Sequence, residues 1–134
     1  TMHVGVAVIP NHQGKILIGR RAAHKPSPGL WEFPGGKLEA DEDLPACIRR
    51  ELLEELSLPV EPLRELTRYQ NGSLTLHFWL CEAVDAQSLP LRDHDALAWV
   101  ELKELLNFDI VQGSLPFAQQ LAEQTEPLQA REDI

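Results

Sequence analysis

The chain has 134 residues, of which 43% are hydrophobic, so it is long enough for one globular domain whose core needs no disulfide staples. Its formal net charge of −9 argues against a protein that holds long nucleic acid, because such a protein presents a basic surface to the phosphates. An acidic chain can still bind a small phosphate compound where a divalent cation mediates the contact.

Cysteine content and hydropathy give the second set of exclusions. Cys47 and Cys81 have no metal-ligand spacing and lie among apolar residues, so we interpret them as reduced core thiols. No apolar run approaches the roughly 18 residues needed to cross a bilayer, and the N-terminus lacks the pattern of a secretory signal. We therefore predict a cytoplasmic protein with no membrane segment and no evident obligate protein partner.

The first half of the chain predicts a hairpin, a short strand and a helix. Alternating apolar residues predict strands at 3–10 and 15–19 around a turn at 11–14. A loop at 20–29 leads to a short strand at 31–33 that ends at the turn Pro34-Gly35-Gly36. Residues 41–43 offer N-caps for a helix that has Pro45 in its first turn and ends near Leu56, before Pro59.

The second half predicts a long hairpin, a strand and further helices. Strands at 64–69 and 73–83 flank Asn71-Gly72, a strong hairpin signal. A short strand at 96–100 precedes helical patterns at 101–106 and 115–123. This order predicts an α/β fold with helices on the faces of a mixed sheet, formed by one domain at 2–124 with a frayed polar tail at 125–134.

Three glutamates, Glu51, Glu54 and Glu55, share one face of the predicted helix. At 100° per residue they fall within an arc of roughly 100°. Like charges at this spacing destabilise a helix by a few tenths of a kcal/mol per pair, so a bound cation would offset the repulsion. A solvated acidic face, with Arg49 and Arg50 as ordinary ion-pair partners, is the alternative interpretation of the three glutamates alone.

The wider spacing resembles the Nudix box, G-x5-E-x7-R-E-U-x-E-E-x-G-U, where U is a bulky aliphatic residue. The matching positions are Gly36, Glu42, Arg50, Glu51, Leu52, Glu54, Glu55 and Leu58. Ser57 stands where the family has its late glycine, just past the helix, where the backbone often turns left-handed. By this match the chain is identified as a member of the Nudix family, which implies an α/β/α sandwich around a mixed, partly curled sheet.

The resemblance implies a metal site on the acidic helix face. Glu51, Glu54 and Glu55 would hold one to three Mg²⁺ ions, with Mn²⁺ as a possible substitute, and a backbone carbonyl of Gly35 or Gly36 would add a ligand. Hard carboxylate oxygens suit Mg²⁺, which keeps some of its waters and takes other ligands from substrate phosphates. Such metals would neutralise and position a diphosphate and activate a water for in-line attack on phosphorus.

The remaining roles at this site also come from the resemblance. Arg50 would orient Glu51 by ion pairing, and Glu42 would act at the start of the helix or reach a metal. Ala98 stands where MutT-type members carry a glutamate before a late-strand tryptophan. That departure leaves Glu51 as our first candidate for the general base. The weaker candidates are Asp93 and Asp95.

Segments outside the box resemble the MutT branch, so that the resemblance runs from about His3 to Leu121. These segments are GRRAA at 19–23, WEFPGGK at 31–37, LTLHFWL at 74–80, Trp99 and Pro116-Phe117. MutT enzymes hydrolyse nucleoside triphosphates, notably 8-oxo-dGTP, to the monophosphate and pyrophosphate, and close relatives act on CTP. The implied nucleotide contacts are Arg21, Phe33, Lys37, Phe78, Gln112 and Ser114.

Each of these contacts has a plainer alternative. Arg21 and Lys37 are also compatible with solvated surface positions, and Phe33 and Phe78 with places in the core. Ser114 stands where MutT reads the guanine edge with an asparagine, and a hydroxyl cannot offer the two opposed contacts of an amide. Selectivity for oxidised guanine would therefore require Gln112 to reach the base instead.

We predict hydrolysis of a small nucleotide, first as sanitation of the nucleotide pool with an 8-oxo-dGTP-like substrate. The alternatives are a CTP or dNTP pyrophosphohydrolase, or a hydrolase of dinucleoside polyphosphates, nucleotide sugars or RNA 5′ ends. A non-catalytic Nudix-fold binding module would usually lose its glutamates, and this chain keeps all three. An isoprenoid-diphosphate isomerase would need a reactive cysteine, and neither cysteine is suitably placed.

Overall fold

A computed structural model describes residues 1–84 and 89–131. The strands and helices are β1 (Met2–Val8), β2 (Ile16–Arg21), β3 (Trp31–Glu32), β4 (Gly35–Lys37), α1 (Leu44–Leu56), β5 (Val60–Asn71), β6 (Leu74–Ala83), β7 (His94–Val100) and α2 (Leu115–Ala122). Two 3-10 segments, Leu102–Asn107 and Gln112–Ser114, lie between β7 and α2. In these ranges no helix is long and apolar enough to cross a membrane.

The strands form two sheets. The first has the order β4-β1-β6-β5, in which β1 and β6 run parallel and the other pairs are antiparallel. The second has the antiparallel order β3-β2-β7. Two core clusters form because successive side chains of a strand point to opposite faces. One contains the apolar stripe of α1, and the other contains α2 and the first 3-10 segment, which gives the predicted layering of helix, sheet and helix.

The predicted opening hairpin exists only close to its turn. The Asn11 N–H donates to the Lys15 carbonyl at 2.9 Å, and the Leu17 N–H donates to the Ile9 carbonyl at 3.2 Å. Beyond these bonds β1 pairs with β4 and β6, whereas β2 pairs with β3 and β7. Strand pairing over the rest of their length is therefore decided by distant segments, which local turn signals do not reveal.

The Gly35-Gly36 pair, predicted to be a turn, lies in strand β4. This strand runs antiparallel to β1, with Val6 opposite Gly35 and Gly5 opposite Gly36. A Cβ on Gly35 would collide with the Gly5 carbonyl, and a Cβ on Gly36 would collide with the Glu51 carboxylate. The glycines allow this close approach of β4 to both β1 and α1.

Helix α1 is confirmed with its predicted limits. The Asp43 side chain accepts from the Ala46 N–H at 2.9 Å, which satisfies one of the unpaired donors of the first turn. The helix ends at Leu56, and Ser57 takes the left-handed conformation with φ 50° and ψ 35°. The backbone geometry predicted for the family's glycine position is therefore kept with a serine.

The long hairpin of β5 and β6 is confirmed, although β5 starts earlier than predicted, at Val60. Its pairing with β6 shifts register twice, which local alternation does not indicate. The polar segment after α2, predicted to fray, contacts the domain through Leu128, which packs on a core cluster. Arg131 pairs with Glu82 at 2.9 Å. Residues 132–134 of the predicted tail lie outside the described residues.

Candidate functional site

The three glutamates of α1 lie on one helix face but differ in exposure. Ile48, Leu52 and Leu56 bury the neighbouring stripe of the helix completely. Glu55 is therefore drawn into the protein, with 9% of its surface exposed. The Glu51 side chain is 16% exposed, whereas the Glu54 side chain is 61% exposed. The exposure of the carboxylates on this face therefore increases from the buried Glu55 to the solvated Glu54.

One of the two oxygens of Glu55 lacks the contact that a buried carboxylate needs. Among the described residues its Oε2 atom has no hydrogen-bond partner. Burial raises the pKa of Glu55 to about 9, with further contributions from the negative charges of Glu51, Glu32 and Asp93, while a hydrogen bond from the Gly35 backbone lowers it. Four acidic side chains thus share one region, where a cation would compensate their repulsion.

Arg50 holds several carboxylates beside this region. Its Nη2 and Nε donate to the two oxygens of Glu42 at 2.7 and 3.1 Å. Its Nη1 donates to Glu51 at 2.9 Å and to Glu54 at 3.4 Å. Hydrogen bonding to Arg50 lowers the pKa of Glu42 to about 2, and burial raises the pKa of Glu51 above its ordinary value. Glu42 is therefore a fixed anchor for Arg50, which in turn contacts Glu51.

The predicted metal ligands are close together but are not arranged around a common point. Within residues 1–84 and 89–131, no three His, Cys, Asp or Glu side chains converge tightly enough to hold a metal ion. Arg50 instead engages Glu51 and Glu54. The chemistry of the donors still fits a hard divalent cation, because Glu55 has an unpartnered buried oxygen and the Glu51 carboxylate lies directly against Gly36.

A second polar cluster, formed by Arg21, Glu32 and His94, lies on strands β2, β3 and β7. Arg21 Nη1 donates to Glu32 Oε1 at 2.8 Å, and His94 Nε2 lies 2.9 Å from Glu32 Oε2. Of these three residues, only Arg21 was predicted from the sequence as a site residue. One signal was present, a charged residue between Trp31 and Phe33 in a short aromatic strand.

The structure places the proposed aromatic contacts in the core. Phe33 is 3% exposed, and Phe78 is completely buried. Phe78 stacks on Phe117 with ring centroids 4.4 Å apart, and Phe33 meets Phe78 edge-on at 6.0 Å. The core alternative for both phenylalanines therefore matches the geometry, since neither ring presents an open face on which a base can stack.

The other proposed substrate contacts are spread out. Lys37 is exposed at the end of β4, and its carbonyl accepts from Arg50 Nη2 at 3.1 Å. Gln112 is exposed, whereas Ser114 is buried ahead of α2 and makes no capping hydrogen bond with its side chain. The segment 112–114 lies against the end of the long hairpin, where an added Cβ at Gly113 would meet Asn71 Nδ2 at 3.0 Å.

The weaker candidates for the general base differ in their surroundings. Asp95 pairs with Arg20 at 2.6 Å. Asp93 lies 3.8 Å from Lys25, and its charge contributes to the raised pKa of Glu55. Of these two aspartates, Asp93 is therefore the one that acts electrostatically on the acidic face.

The NUDIX domain family model matches residues 1–121. The chain belongs to the Nudix family. It is 35% identical over 115 residues to a CTP pyrophosphohydrolase of Escherichia coli K12, covering 83% of this chain and 84% of that protein. It is 37% identical over 101 residues to a putative 8-oxo-dGTP diphosphatase 2 of Mycobacterium tuberculosis H37Rv, covering 72% and 71%.

A solved structure of MutT, from work on Aliivibrio salmonicida and Vibrio cholerae, resembles this Nudix chain with a TM-score of 0.78 and 33% identity, covering 90% of this chain and 96% of the other. The predicted family and fold class are confirmed. The predicted enzyme class is confirmed as well, because the relatives are Nudix pyrophosphohydrolases. This chain is a Nudix hydrolase that acts on nucleotides.

Proposed function

We propose that this Nudix hydrolase cleaves nucleoside triphosphates to the monophosphate and pyrophosphate, with Mg²⁺ bound at Glu51, Glu54 and Glu55. The observation that carries the proposal is the buried Glu55 carboxylate, whose Oε2 has no partner among the described residues. A buried carboxylate oxygen without a partner lowers the stability of the folded protein unless a bound ligand contacts it. Mn²⁺ would serve as a substitute, because it accepts the same oxygen donors.

Arg50 and Glu51 have different proposed roles beside the metal. When bound, Mg²⁺ supplies charge neutralisation of the diphosphate and a more acidic bound water. Arg50 holds Glu51 in position through its own anchor on Glu42, so the carboxylate keeps its orientation when substrate arrives. Glu51 is the candidate for the general base, since its carboxylate is partly buried beside Gly36.

The backbone of β4 lies directly against the acidic face of α1. Glycine at positions 35 and 36 brings the strand close to both β1 and α1. The Gly36 carbonyl, offered as a ligand by the family resemblance, lies 3.5 Å from the Cys47 sulfur, a weak contact that a cation would replace readily. The Gly36 carbonyl is therefore suitable as an additional hard oxygen ligand, and the family resemblance offers the Gly35 carbonyl as the other choice.

For the base, a pyrimidine such as cytosine is the first candidate and 8-oxoguanine the second. The CTP pyrophosphohydrolase is similar over 83% of this chain, and the putative 8-oxo-dGTP diphosphatase over 72%. Ser114 is buried and carries a single hydroxyl where reading a guanine edge calls for an amide. Sanitation of oxidised guanine, our first prediction from the sequence, would need Gln112 to supply that contact.

A product assay with a panel of triphosphates tests the proposal. The protein is incubated with Mg²⁺ and CTP, dCTP, 8-oxo-dGTP or dGTP, and the products are separated by ion exchange. Glu54→Gln is expected to be inactive, and Glu123→Gln, at an exposed glutamate directly after α2, is its matched control. Fastest turnover of CTP or dCTP supports a pyrimidine as the preferred base. Fastest turnover of 8-oxo-dGTP identifies 8-oxoguanine as the preferred base instead. Absence of pyrophosphate from every triphosphate would overturn the proposed reaction.

A further inference from the structure

One carboxylate, that of Glu32, has both oxygens engaged by side chains from two other strands. Arg21, at the end of β2, donates to Oε1 at 2.8 Å, and His94, at the start of β7, lies 2.9 Å from Oε2. The side chains of Arg21 and Glu32 are each 19% exposed, and the side chain of His94 is completely buried. The cluster thus runs from the interior to a partly open surface.

The imidazole of His94 is held tightly at its buried end. Gly19 lies under the ring, where an added Cβ would come within 2.6 Å of His94 Cδ2. The pairing of β2 with β7 is irregular between Arg20 and Arg21, and this irregularity sets His94 opposite Arg21. A side chain at position 19 would push the ring away from Glu32, so the glycine and the bulge together build the contact.

The ring also leaves a buried nitrogen unused. In the described part of the chain, His94 Nδ1 has no hydrogen-bond partner. The tautomer that makes the bond to Glu32 therefore carries its proton on Nε2 and leaves Nδ1 as a lone acceptor. An apolar residue would fill this core position without an unsatisfied nitrogen, so the histidine is better explained by its donor than by its packing.

Arg21 is the exposed end of the cluster. Its Nε donates to the Pro26 carbonyl and its Nη1 to Glu32. Across residues 1–84 and 89–131, no protein group accepts from its Nη2. Glu32 also stands just before β4 in the chain, and Gly36 of β4 lies against the Glu51 carboxylate, so the pair of Glu32 and Arg21 lies on the side of the acidic face. A fixed guanidinium with a remaining donor is suited to an anionic oxygen of a nucleotide.

We infer that His94 is a positioning residue: through Glu32 it fixes Arg21, so that the remaining Nη2 donor meets a phosphate or sugar oxygen of the bound nucleotide. The inference rests on the proposed function, because it requires a nucleotide at the acidic face. Fixing the guanidinium before substrate arrives lowers the entropy lost on binding, so the effect belongs to substrate affinity more than to the chemical step.

The test compares His94→Gln with His94→Met. Glutamine and methionine have similar length, but only glutamine keeps an N–H donor for Glu32. With CTP and Mg²⁺, His94→Met should raise KM about tenfold over His94→Gln, with kcat of the two variants within about threefold. A purely structural role would affect both variants alike. Equal KM values would overturn the inference.

A second background separates positioning from packing. An Arg21→Met protein lacks the guanidinium that His94 is proposed to position through Glu32. In that protein, exchanging Gln for Met at position 94 should therefore leave KM unchanged within about twofold. If KM still differs about tenfold between the Gln and Met variants at position 94 in that protein, His94 does not act through Arg21. Urea unfolding of every variant confirms that the compared proteins are folded under assay conditions.

Nitrogen NMR tests the hydrogen bond independently of turnover. In the wild-type protein the His94 ring should be protonated on Nε2, and Glu32→Leu should change its nitrogen shifts. A ring protonated on Nδ1 would overturn the positioning of Arg21 by His94 through Glu32, whether or not the protein is active. If the wild type releases no pyrophosphate from any triphosphate but His94 shows the Nε2–H form coupled to Glu32, the proposed function fails while the hydrogen bond stands.

Discussion

Among the individual residues, Glu55 has the surroundings that depart most from those of an ordinary surface glutamate. Its carboxyl is buried on the apolar side of α1, and its pKa is raised to about 9 from the usual 4.5. Ionising this group in the folded, metal-free protein costs free energy that the unfolded chain does not lose. The same group would be a strong ligand once a divalent cation replaces its proton.

This shift predicts a pH dependence of stability. Because the folded pKa of Glu55 lies above the unfolded value, its contribution is fully present below about pH 4.5 and is lost as the pH rises toward about 9. Glu55→Gln should therefore flatten the fall in the free energy of unfolding over that window. Urea unfolding of the metal-free wild type and the variant measures the difference. Parallel curves for the two proteins would contradict the raised pKa.

Gly36 yields a second prediction about a single residue. Gly36→Ala would place a methyl group where the Glu51 carboxylate lies, and this flexible side-chain end would move aside. Misplacing a catalytic group by about 1 Å can cost roughly 100-fold in rate, so we expect kcat to fall by about that factor. Steady-state kinetics measure the loss, and thermal unfolding should shift little. Unchanged kcat would mean that the position of Glu51 is unimportant for turnover.

At the scale of secondary structure, the end of α1 shows how this chain replaces the family's glycine. Ser57 is left-handed, and its hydroxyl accepts from Arg92 Nη2 at 2.7 Å. Arg92 Nη1 also donates to the Glu54 carbonyl at 2.7 Å. The arginine thus caps the last turn, which carries Glu54 and Glu55, and the serine side chain takes part in that cap.

Two substitutions at this cap lose the same hydrogen bond but differ in the cost of the left-handed backbone conformation. Ser57→Ala keeps the unfavourable backbone conformation and loses the bond to Arg92, so the free energy of unfolding should fall by about 1 kcal/mol. Ser57→Gly loses the same bond but relaxes the backbone, so its change should stay within about 0.5 kcal/mol. Urea titrations measure both. An alanine variant more stable than the glycine variant would contradict this explanation of the cap.

Secondary-structure elements whose limits depend on local chemistry were predicted well. The N-cap at Asp43, the proline in the first turn and the hairpin signal at Asn71-Gly72 each act over a few residues, and the structure contains all three. Strand β4 was missed because two consecutive glycines indicate a turn. Only the close approach of Gly35 to β1 explains why they form a strand.

The candidate site shows the same division between local and distant information. The carboxylate face of α1 follows from helical spacing and from the family motif. The contact between Glu32 and His94 joins residues 62 positions apart, and no local pattern connects them. The burial of Phe33 and Phe78 also depends on Phe117, a partner from the C-terminal helix. Such contacts become visible only when the strands are assembled.

For the whole molecule, the question is whether the segment after α2, residues 125–134, contributes to the stability of the domain. Leu128 packs on a core cluster, and an added Cβ at Gly14 would collide with Pro127, so this segment covers the turn between β1 and β2. We propose that 2–124 is the catalytic domain. Deleting 125–134 should lower the free energy of unfolding by about 1–2 kcal/mol, because apolar contact is lost, and should leave kcat within about twofold.

Thermal and urea unfolding of the truncated protein, together with its steady-state kinetics, check this prediction. Arg131→Ala serves as the control, since removing its partly exposed pair with Glu82 should cost less than about 0.5 kcal/mol. A truncated protein that is folded but inactive would show that the segment contributes to the active site and not only to stability.

The most direct test of metal-dependent catalysis at the acidic face is Mg²⁺-dependent pyrophosphate release from CTP by the wild type and by Glu55→Gln. Glutamine matches the size of the buried side chain and cannot carry the charge that would bind the cation. We expect the wild type to produce CMP and pyrophosphate only with the metal, and the variant to lose at least about 100-fold in kcat. Wild-type release that is independent of Mg²⁺, or a variant as active as the wild type, would contradict metal-dependent catalysis through Glu55.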